Sequence, residues 1–203
     1  RPRGAGFCYN DIEFEVMKED ARCMLENKAD GIAFGCLNQV GSINEKQTKE
    51  MLDIIKEYQG EVVFHRAFDC VADPYASIEL LIHLDEYMIK RAVKTYNYPI
   101  IKNPCPADGH TKRQDMKELI KDLQNKYGNQ IEILAGSGIN ASNARKMMED
   151  TGIYQVHSSC KDWINDPTTK THEVSYAYAP SPHENDYDVV SKELVEKIVE
   201  SIK

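Results

Sequence analysis

The chain has 203 residues, in which 33 acidic side chains outnumber 25 basic ones and give a formal net charge of −8. This length supports one substantial core, so a single domain over residues 1–203 is predicted. The scattered, outnumbered Lys and Arg argue against nucleic acid or an anionic membrane as a partner. No apolar run approaches the roughly 20 residues of a membrane span, and the first residues lack a signal-peptide core, so the expected location is the cytosol.

Short apolar runs alternate with segments of helical period along the chain. Asn10 precedes the first helix with Glu13 at the capping-box position, and Asp73 with Pro74 opens a later helix. In chain order, the predicted elements are a helix over 11–25, a strand over 30–36, a helix over 44–58, a strand over 61–66, a helix from 73, a helix over 116–127, a strand over 130–136, a short helix over 140–148, a strand over 153–159, a polar loop and a closing helix over 190–202.

Strands that alternate with helices predict βαβ units and a mostly parallel sheet, which is an α/β fold. Two architectures fit this pattern, a doubly wound open sheet and a (β/α)8 barrel. The chain has five plausible strand–helix units and falls short of the roughly 250 residues typical of such a barrel. Taken alone, that count favours the open sheet.

Polar residues cluster where the predicted strands end. In a parallel α/β fold the carboxyl ends of the strands share one rim, so these residues are expected to line a common pocket. Each could instead be structural, as a rim arginine, a core histidine or a turn glycine. The strand-end residues are Arg1 and Arg3 before the first helix, His65, Arg66 and Asp69 after the run EVVF, Gly136, Ser137 and Gly138 after QIEILA, and His157, Ser158 and Ser159 after IYQV.

Two kinds of chemistry suit these side chains. Arg1, Arg3 and the Gly136–Gly138 turn could bind an anion, because arginine forks and helix N-terminal N–H groups attract negative charge. A histidine could act as general acid or base near neutral pH, with a nearby aspartate to orient it. The candidate catalytic residues are His65, Arg66, Asp69, His157 and Ser158. Adjacent residues on a strand point to opposite faces, so only one of His65 and Arg66 is expected to face the site.

Cysteine offers a second chemistry. The six cysteines are spread singly with no CxxC pair, which fits reduced thiols. Cys36 and Cys70 each stand at or just past a predicted strand end, and two soft thiolates could hold Cu(I) as a linear site. The alternative interpretation is that both are small buried hydrophobes.

Three motifs together resemble one known family. RPRG-x-x-F-x-Y over residues 1–9, FHRAFD over 64–69 and HSS over 157–159 stand in an order similar to that of the CutC family of copper homeostasis proteins. The resemblance implies a TIM-like (β/α) barrel, a cytosolic location, copper handling and homo-oligomers. By position, the residues it marks as site groups are Arg1, Arg3, His65, Arg66, Asp69, His157 and Ser158.

The resemblance also implies that RPRG ends the third strand of the barrel. Two upstream strand–helix units are therefore expected to lie outside these residues, so the barrel would be incomplete and truncated at its N-terminal side. The chain departs from the family over residues 83–109, a long polar stretch with three prolines. Residues 91–96 or residues 98–102 could supply the sixth strand there, which leaves that strand doubtful. Cys36 and Cys70 are also not positions at which the family pattern requires cysteine.

Three functions stay open on this basis. The first is a CutC-like protein of copper homeostasis that binds Cu(I). The second is a TIM-barrel enzyme acting on a small anionic or phosphorylated metabolite, and the third is an inactive, truncated paralogue. The polar strand ends favour an enzyme-like pocket, whereas a dedicated copper carrier is expected to show paired Cys or Met ligands.

Overall fold

The structure is a computed structural model that describes residues 2–4, 6–84, 89–95, 109–170, 173–177 and 179–203. In chain order, its elements are α1 (Asp11–Glu26), β1 (Gly31–Phe34), α2 (Glu45–Glu57), β2 (Glu61–Phe64), a 3-10 helix (Arg66–Cys70), α3 (Pro74–His83), β3 (Ile89–Thr95), α4 (Gly109–Tyr127), β4 (Glu132–Gly136), α5 (Ala144–Thr151), β5 (Gln155–Val156), β6 (Lys161–Asn165), β7 (Asp186–Val190) and α6 (Lys192–Ser201).

The first five strands form a parallel sheet in the order β1-β2-β3-β4-β5. Each strand therefore pairs with its neighbour in sequence, as the strands of a (β/α) barrel do. In a doubly wound sheet the strand order reverses at a switch point. The predicted α/β class is confirmed. Among the described residues the sheet stays open, with β1 and β5 as its two edges, and no closed barrel forms.

The doubtful strand of the polar segment is present. β3 covers Ile89–Thr95 and pairs with β2 on one side and β4 on the other, with Thr95 opposite Gly136. It contains most of the first alternative, residues 91–96. The second alternative, residues 98–102, lies outside the described residues. A polar stretch can thus form a central strand, because backbone pairing on both sides satisfies its N–H and C=O groups.

Local sequence signals fix the starts of several helices. The Asn10 side chain accepts a hydrogen bond from the Glu13 N–H at 2.9 Å, and the Glu13 carboxylate accepts one from the Asn10 N–H at 3.0 Å, which completes the predicted capping box. Asp73 accepts from the N–H groups of Tyr75 and Ala76 at the start of α3. These caps satisfy N–H groups that have no partner within the helix.

The core lies between the sheet and the apolar sides of the helices. It buries strand residues together with helix residues at helical spacing, which is why the alternation of periods in the sequence predicted the layers. The largest fully buried side chains are Phe64, Phe68, Met51, Leu52, Ile55, Ile78, Leu81, Leu84, Ile120, Leu123 and Val62. None of the helices in the described ranges has both the length and the apolar character to cross a bilayer.

Two boundary predictions near the end of the sheet were wrong. The short helix begins at Ala144 and not after Asn140, because the Asn140 side chain accepts from the Ser142 N–H and holds a separate turn. The last parallel strand is only Gln155–Val156, since the chain leaves the sheet once the His157 N–H has bonded to the Ala135 carbonyl.

The stretch expected to be a polar loop contains an antiparallel hairpin. β6 pairs with β7 along their whole length, from Lys161 opposite Val190 to Asn165 opposite Asp186. Both strands are exposed on most positions of both faces, so they lack the alternation that marks a half-buried strand. Val190 belongs to β7, and the closing helix α6 follows Ser191, whose side chain accepts from the Leu194 N–H.

Candidate functional site

A cavity of about 400 Å³ opens at the carboxyl ends of the strands. Its wall consists of Arg66 after β2, residues 137–141 after β4, residues 157–161 after β5, and Leu194 and Ile198 of α6. We call this cavity the strand-end pocket. It brings Arg66, just after β2, and His157, just after β5, to one edge of the sheet, as the rule for parallel strands predicts.

Arg66 enters the pocket from the 3-10 helix. Its Nε donates to Asp69 Oδ2 at 3.2 Å, and the Asp69 side chain is only 6% exposed whereas that of Arg66 is 53% exposed. The buried carboxylate therefore holds the arginine at the wall while leaving much of the guanidinium accessible. This pairing makes Asp69 a positioning group for Arg66.

His65 does not line the pocket. Its Nδ1 accepts the Ala67 N–H at 3.2 Å, and the residue caps the 3-10 helix instead of extending the strand. The ring lies edge-on to Phe7 at 5.1 Å and against Gly35, where an added Cβ would come within 2.8 Å of Nδ1. The premise that His65 and Arg66 alternate on a strand was thus wrong, because β2 ends at Phe64.

The loop after β4 supplies backbone donors. Ser137 and Gly138 have φ of 63° and 79°, a left-handed turn that Gly138 adopts without a side-chain clash. The N–H groups of Gly138 and Ile139 have no acceptor within the described residues. They are therefore available to a ligand. The prediction that this turn leads directly into the N-terminus of a helix was wrong. A turn over residues 140–143 separates Gly138 from α5.

The segment after β5 contains one side chain that is hydrogen-bonded and one that is not. Ser158 Oγ donates to the Ile139 carbonyl at 2.7 Å and accepts the Cys160 N–H at 3.2 Å, so this hydroxyl ties two walls of the pocket together. The His157 imidazole is exposed and makes no hydrogen bond within the described part of the chain. Among the predicted catalytic residues, Ser158 therefore has a structural bond, whereas His157 is open to a ligand.

Cys160 and Lys161 are among the pocket residues that were absent from the predicted site. Cys160 lines the cavity with a φ of 42°, and Lys161 follows it. Lys161 Nζ lies 3.1 Å from Asp188 and 4.8 Å from the centre of the Trp163 ring, which orients its ammonium group. The signal for both residues in the sequence is their position directly after the motif HSS, at residues 157–159.

Of the two N-terminal arginines predicted to bind an anion, the structure describes only Arg3. Arg1 lies outside the described residues. Arg3 bonds to Glu13 and to the carbonyls of Gly4 and Cys8, and it is not part of the pocket wall. The hydrogen bond to Glu13 raises the pKa of Arg3, and it lowers the pKa of Glu13 in turn. Arg3 therefore fastens the leading segment to α1.

The two predicted copper ligands differ in exposure. Cys36 has no solvent exposure, and burial raises the pKa of its thiol to about 12. Cys70 is exposed at the end of the 3-10 helix, and neither cysteine lines the pocket. Cu(I) binds thiolates, so a sealed thiol of this kind fits the ion poorly. No cluster of three or more His, Cys, Asp or Glu suited to a metal occurs within the described ranges.

Comparison with known proteins gives consistent matches. The CutC family model matches residues 1–162. A CutC family protein of Treponema denticola is 31% identical over 203 residues, covering the whole of this chain and 76% of the relative. The mouse "copper homeostasis protein cutC homolog" is 30% identical over 189 residues, covering 93% of this chain and 63% of the relative. The crystal structure of CutC from Streptococcus agalactiae superposes with a TM-score of 0.65 and 28% identity, covering 78% of this chain and 69% of that one.

Proposed function

This chain belongs to the CutC family, and from that premise we propose that it acts in copper homeostasis with the strand-end pocket as its working site. The family match over residues 1–162 and the name of the mouse relative support the biological role. Within this proposal the parallel sheet is an arc of a TIM-like (β/α) barrel, supported by its sequential strand order. The chain is proposed to work in the cytosol and as a homo-oligomer.

The ligand that best fits the pocket is a small anion. Arg66 and Lys161, which pair with Asp69 and Asp188 outside the lining, bring two cationic side chains to one cavity of about 400 Å³. The Gly138 and Ile139 N–H groups add hydrogen-bond donors. No Asp or Glu stands among the described lining residues. This convergence of donors without a carboxylate is the observation that carries the proposal. The volume lies within the range of pockets for small molecules.

Each wall has a distinct task in binding. Asp69 orients the Arg66 fork toward a phosphate or carboxylate, which arginine can contact through two N–H groups. Ser158 keeps the loops after β4 and β5 at a fixed separation. His157 lines the same wall, where its imidazole would serve as general acid or base toward a bound anion. The enzyme hypothesis depends on this histidine.

A thermal-shift series with inorganic phosphate and phosphorylated metabolites tests the proposal. The discriminating variant is Arg66→Gln, which keeps a side-chain donor for Asp69 but loses the charge, and the matched control is Arg22→Gln on α1, where the arginine pairs with Glu19. Ligand should raise the melting temperature of the wild type and of Arg22→Gln but not of Arg66→Gln. If no compound of the panel raised the melting temperature of the wild type, anion binding in the pocket would be ruled out.

Direct binding of Cu(I) is the second candidate, favoured by the family to which the chain belongs. The predicted pair Cys36 and Cys70 is its weakest part, because the Cys36 thiol is sealed from solvent. Anaerobic titration of the protein against a chromophoric Cu(I) chelator is the test. If micromolar protein failed to compete with the chelator, Cu(I) binding would be ruled out. The thermal-shift test of anion binding does not depend on that result.

A further inference from the structure

The strand-end pocket also contains the two side chains best suited to a soft metal ion. His157 and Cys160 both line its wall, three residues apart in the stretch HSSC. We propose that His157 and Cys160 together bind Cu(I) in this pocket. The inference rests on the proposed role in copper homeostasis and gives that role a site different from Cys36 and Cys70.

The donor atoms match the ion. Cu(I) selects soft thiolate sulfur and is also bound by imidazole, and two such donors suffice for a linear site. Within the described residues, neither the Cys160 thiol nor the His157 ring makes a hydrogen bond that would have to break before the metal could bind. Cys160 is half-buried and His157 is exposed, so an ion can reach the pair from solvent.

The segment that carries the two ligands is held by backbone bonds. The His157 N–H donates to the Ala135 carbonyl at 2.7 Å, and the Cys160 carbonyl accepts from the Ser191 N–H at 2.9 Å. Between them, Ser158 bonds to the Ile139 carbonyl and to the Cys160 N–H. A fixed segment of this kind reduces the entropy lost when two side chains close on one ion.

The surroundings favour Cu(I) over hard divalent cations. Mg²⁺ and Ca²⁺ need several oxygen ligands, usually carboxylates, and no Asp or Glu stands among the described lining residues. Arg66 and Lys161 in the same wall are each paired with a carboxylate, Asp69 and Asp188, so the wall carries no excess negative charge to hold a divalent ion. A thiolate bound to Cu(I) is neutral as a pair, so it adds no net charge to the wall.

The other described cysteines lack this setting. Cys36 is sealed in the core, and Cys8, Cys23 and Cys70 are exposed outside the pocket wall. Cys105 lies outside the described residues. Cys160, by contrast, lines the strand-end pocket together with His157.

Anaerobic Cu(I) titration against a chromophoric chelator tests the site, using Cys160→Ser, His157→Gln and, as a matched control, Cys70→Ser. The wild type and Cys70→Ser should withdraw Cu(I) from the chelator, Cys160→Ser should lose this ability, and His157→Gln should weaken it. Binding retained by Cys160→Ser but lost by Cys70→Ser would overturn the inference while preserving copper binding by the protein.

A second measurement needs no variant. Iodoacetamide labelling followed by peptide mapping should show that one equivalent of Cu(I) protects Cys160 and leaves Cys70 reactive. Protection of Cys70 in place of Cys160 contradicts the site. A wild type that takes up no Cu(I) removes both this inference and Cu(I) binding, whereas the phosphate thermal shift then still tests the pocket itself.

Discussion

Cys36 and His65, at the ends of β1 and β2, differ from His157 and Cys160, which follow β5. On the first side, His65 caps a 3-10 helix and packs on Phe7, while Cys36 is sealed in the core. On the second side, His157 and Cys160 keep their functional atoms open to a cavity. The position of a residue at a strand end therefore does not decide its role. What decides it is whether the fold already uses its polar atoms.

The largest expected effect is a difference in reactivity between the buried Cys36 thiol and the exposed Cys70 thiol. With the pKa of Cys36 raised to about 12 by burial, only about one thiol in 10⁴ would be ionised at pH 8. Alkylation of the native protein with iodoacetamide should label Cys70 and spare Cys36, and both should react in denaturant. Equal labelling of the two in the native state would mean that Cys36 is open to solvent.

Removing a buried side chain of β2 should have the next largest effect, on the free energy of unfolding. Phe64 is fully buried, and its ring meets Phe34 edge-on at 6.3 Å. Phe64→Ala should lower the free energy of unfolding by about 3–5 kcal/mol, because it deletes buried surface and leaves a cavity. Urea denaturation measures the loss. Val40→Ala, at a side chain that is 78% exposed, should change it by less than about 0.5 kcal/mol.

Ser158 tests the link between the two pocket loops. Ser158→Ala leaves the Ile139 carbonyl and the Cys160 N–H without this partner, so the free energy of unfolding should fall by about 1–3 kcal/mol. The stabilisation by phosphate should weaken as well, since the loops lose their fixed separation. Ser159→Ala, in the same wall, should leave stability unchanged. Equal effects of the two variants would exclude a special role for the Ser158 hydroxyl.

The smallest expected effect concerns Arg3 and α1. The hydrogen bond from Arg3, followed by that from the Asn10 N–H, lowers the pKa of Glu13 in the folded state. A lowered folded pKa gives stability that is present above the ordinary carboxyl pKa and is lost as pH falls through the folded value. Glu13→Gln should therefore reduce the loss of stability on acidification, and Glu57→Gln serves as the control. Melting temperatures from pH 7 to pH 3 measure this, and identical profiles for Glu13→Gln and wild type would contradict the linkage.

The sequence predicted the elements whose physics is local. Helices with a capped start and an apolar stripe, such as α1 and α3, were found because side-chain caps and helical period leave a clear pattern. The hairpin of β6 and β7 was missed because strands exposed on both faces carry no alternation. β3 was doubtful because pairing with two neighbours, and not residue type, makes it a strand.

The site was predictable only in part for a related reason. Parallel strand order brought Arg66 and His157 to one cavity, as expected from the direction of the strands alone. Two features depend on contacts that sequence periodicity does not show. The chain turns at His65 into a 3-10 helix, and the Arg3 side chain bonds to Glu13. The same holds for Cys160 and Lys161, which reach the pocket because the chain continues along its wall.

The most direct test of the strand-end pocket is a phosphate titration followed by amide chemical shifts in a nitrogen-15 NMR spectrum. We expect the largest changes at Gly138, Ile139 and residues 157–161, and we expect Arg66→Gln to suppress them. Changes centred on Arg3 and the start of α1, or spread over surface lysines with the pocket amides unmoved, would contradict this expectation.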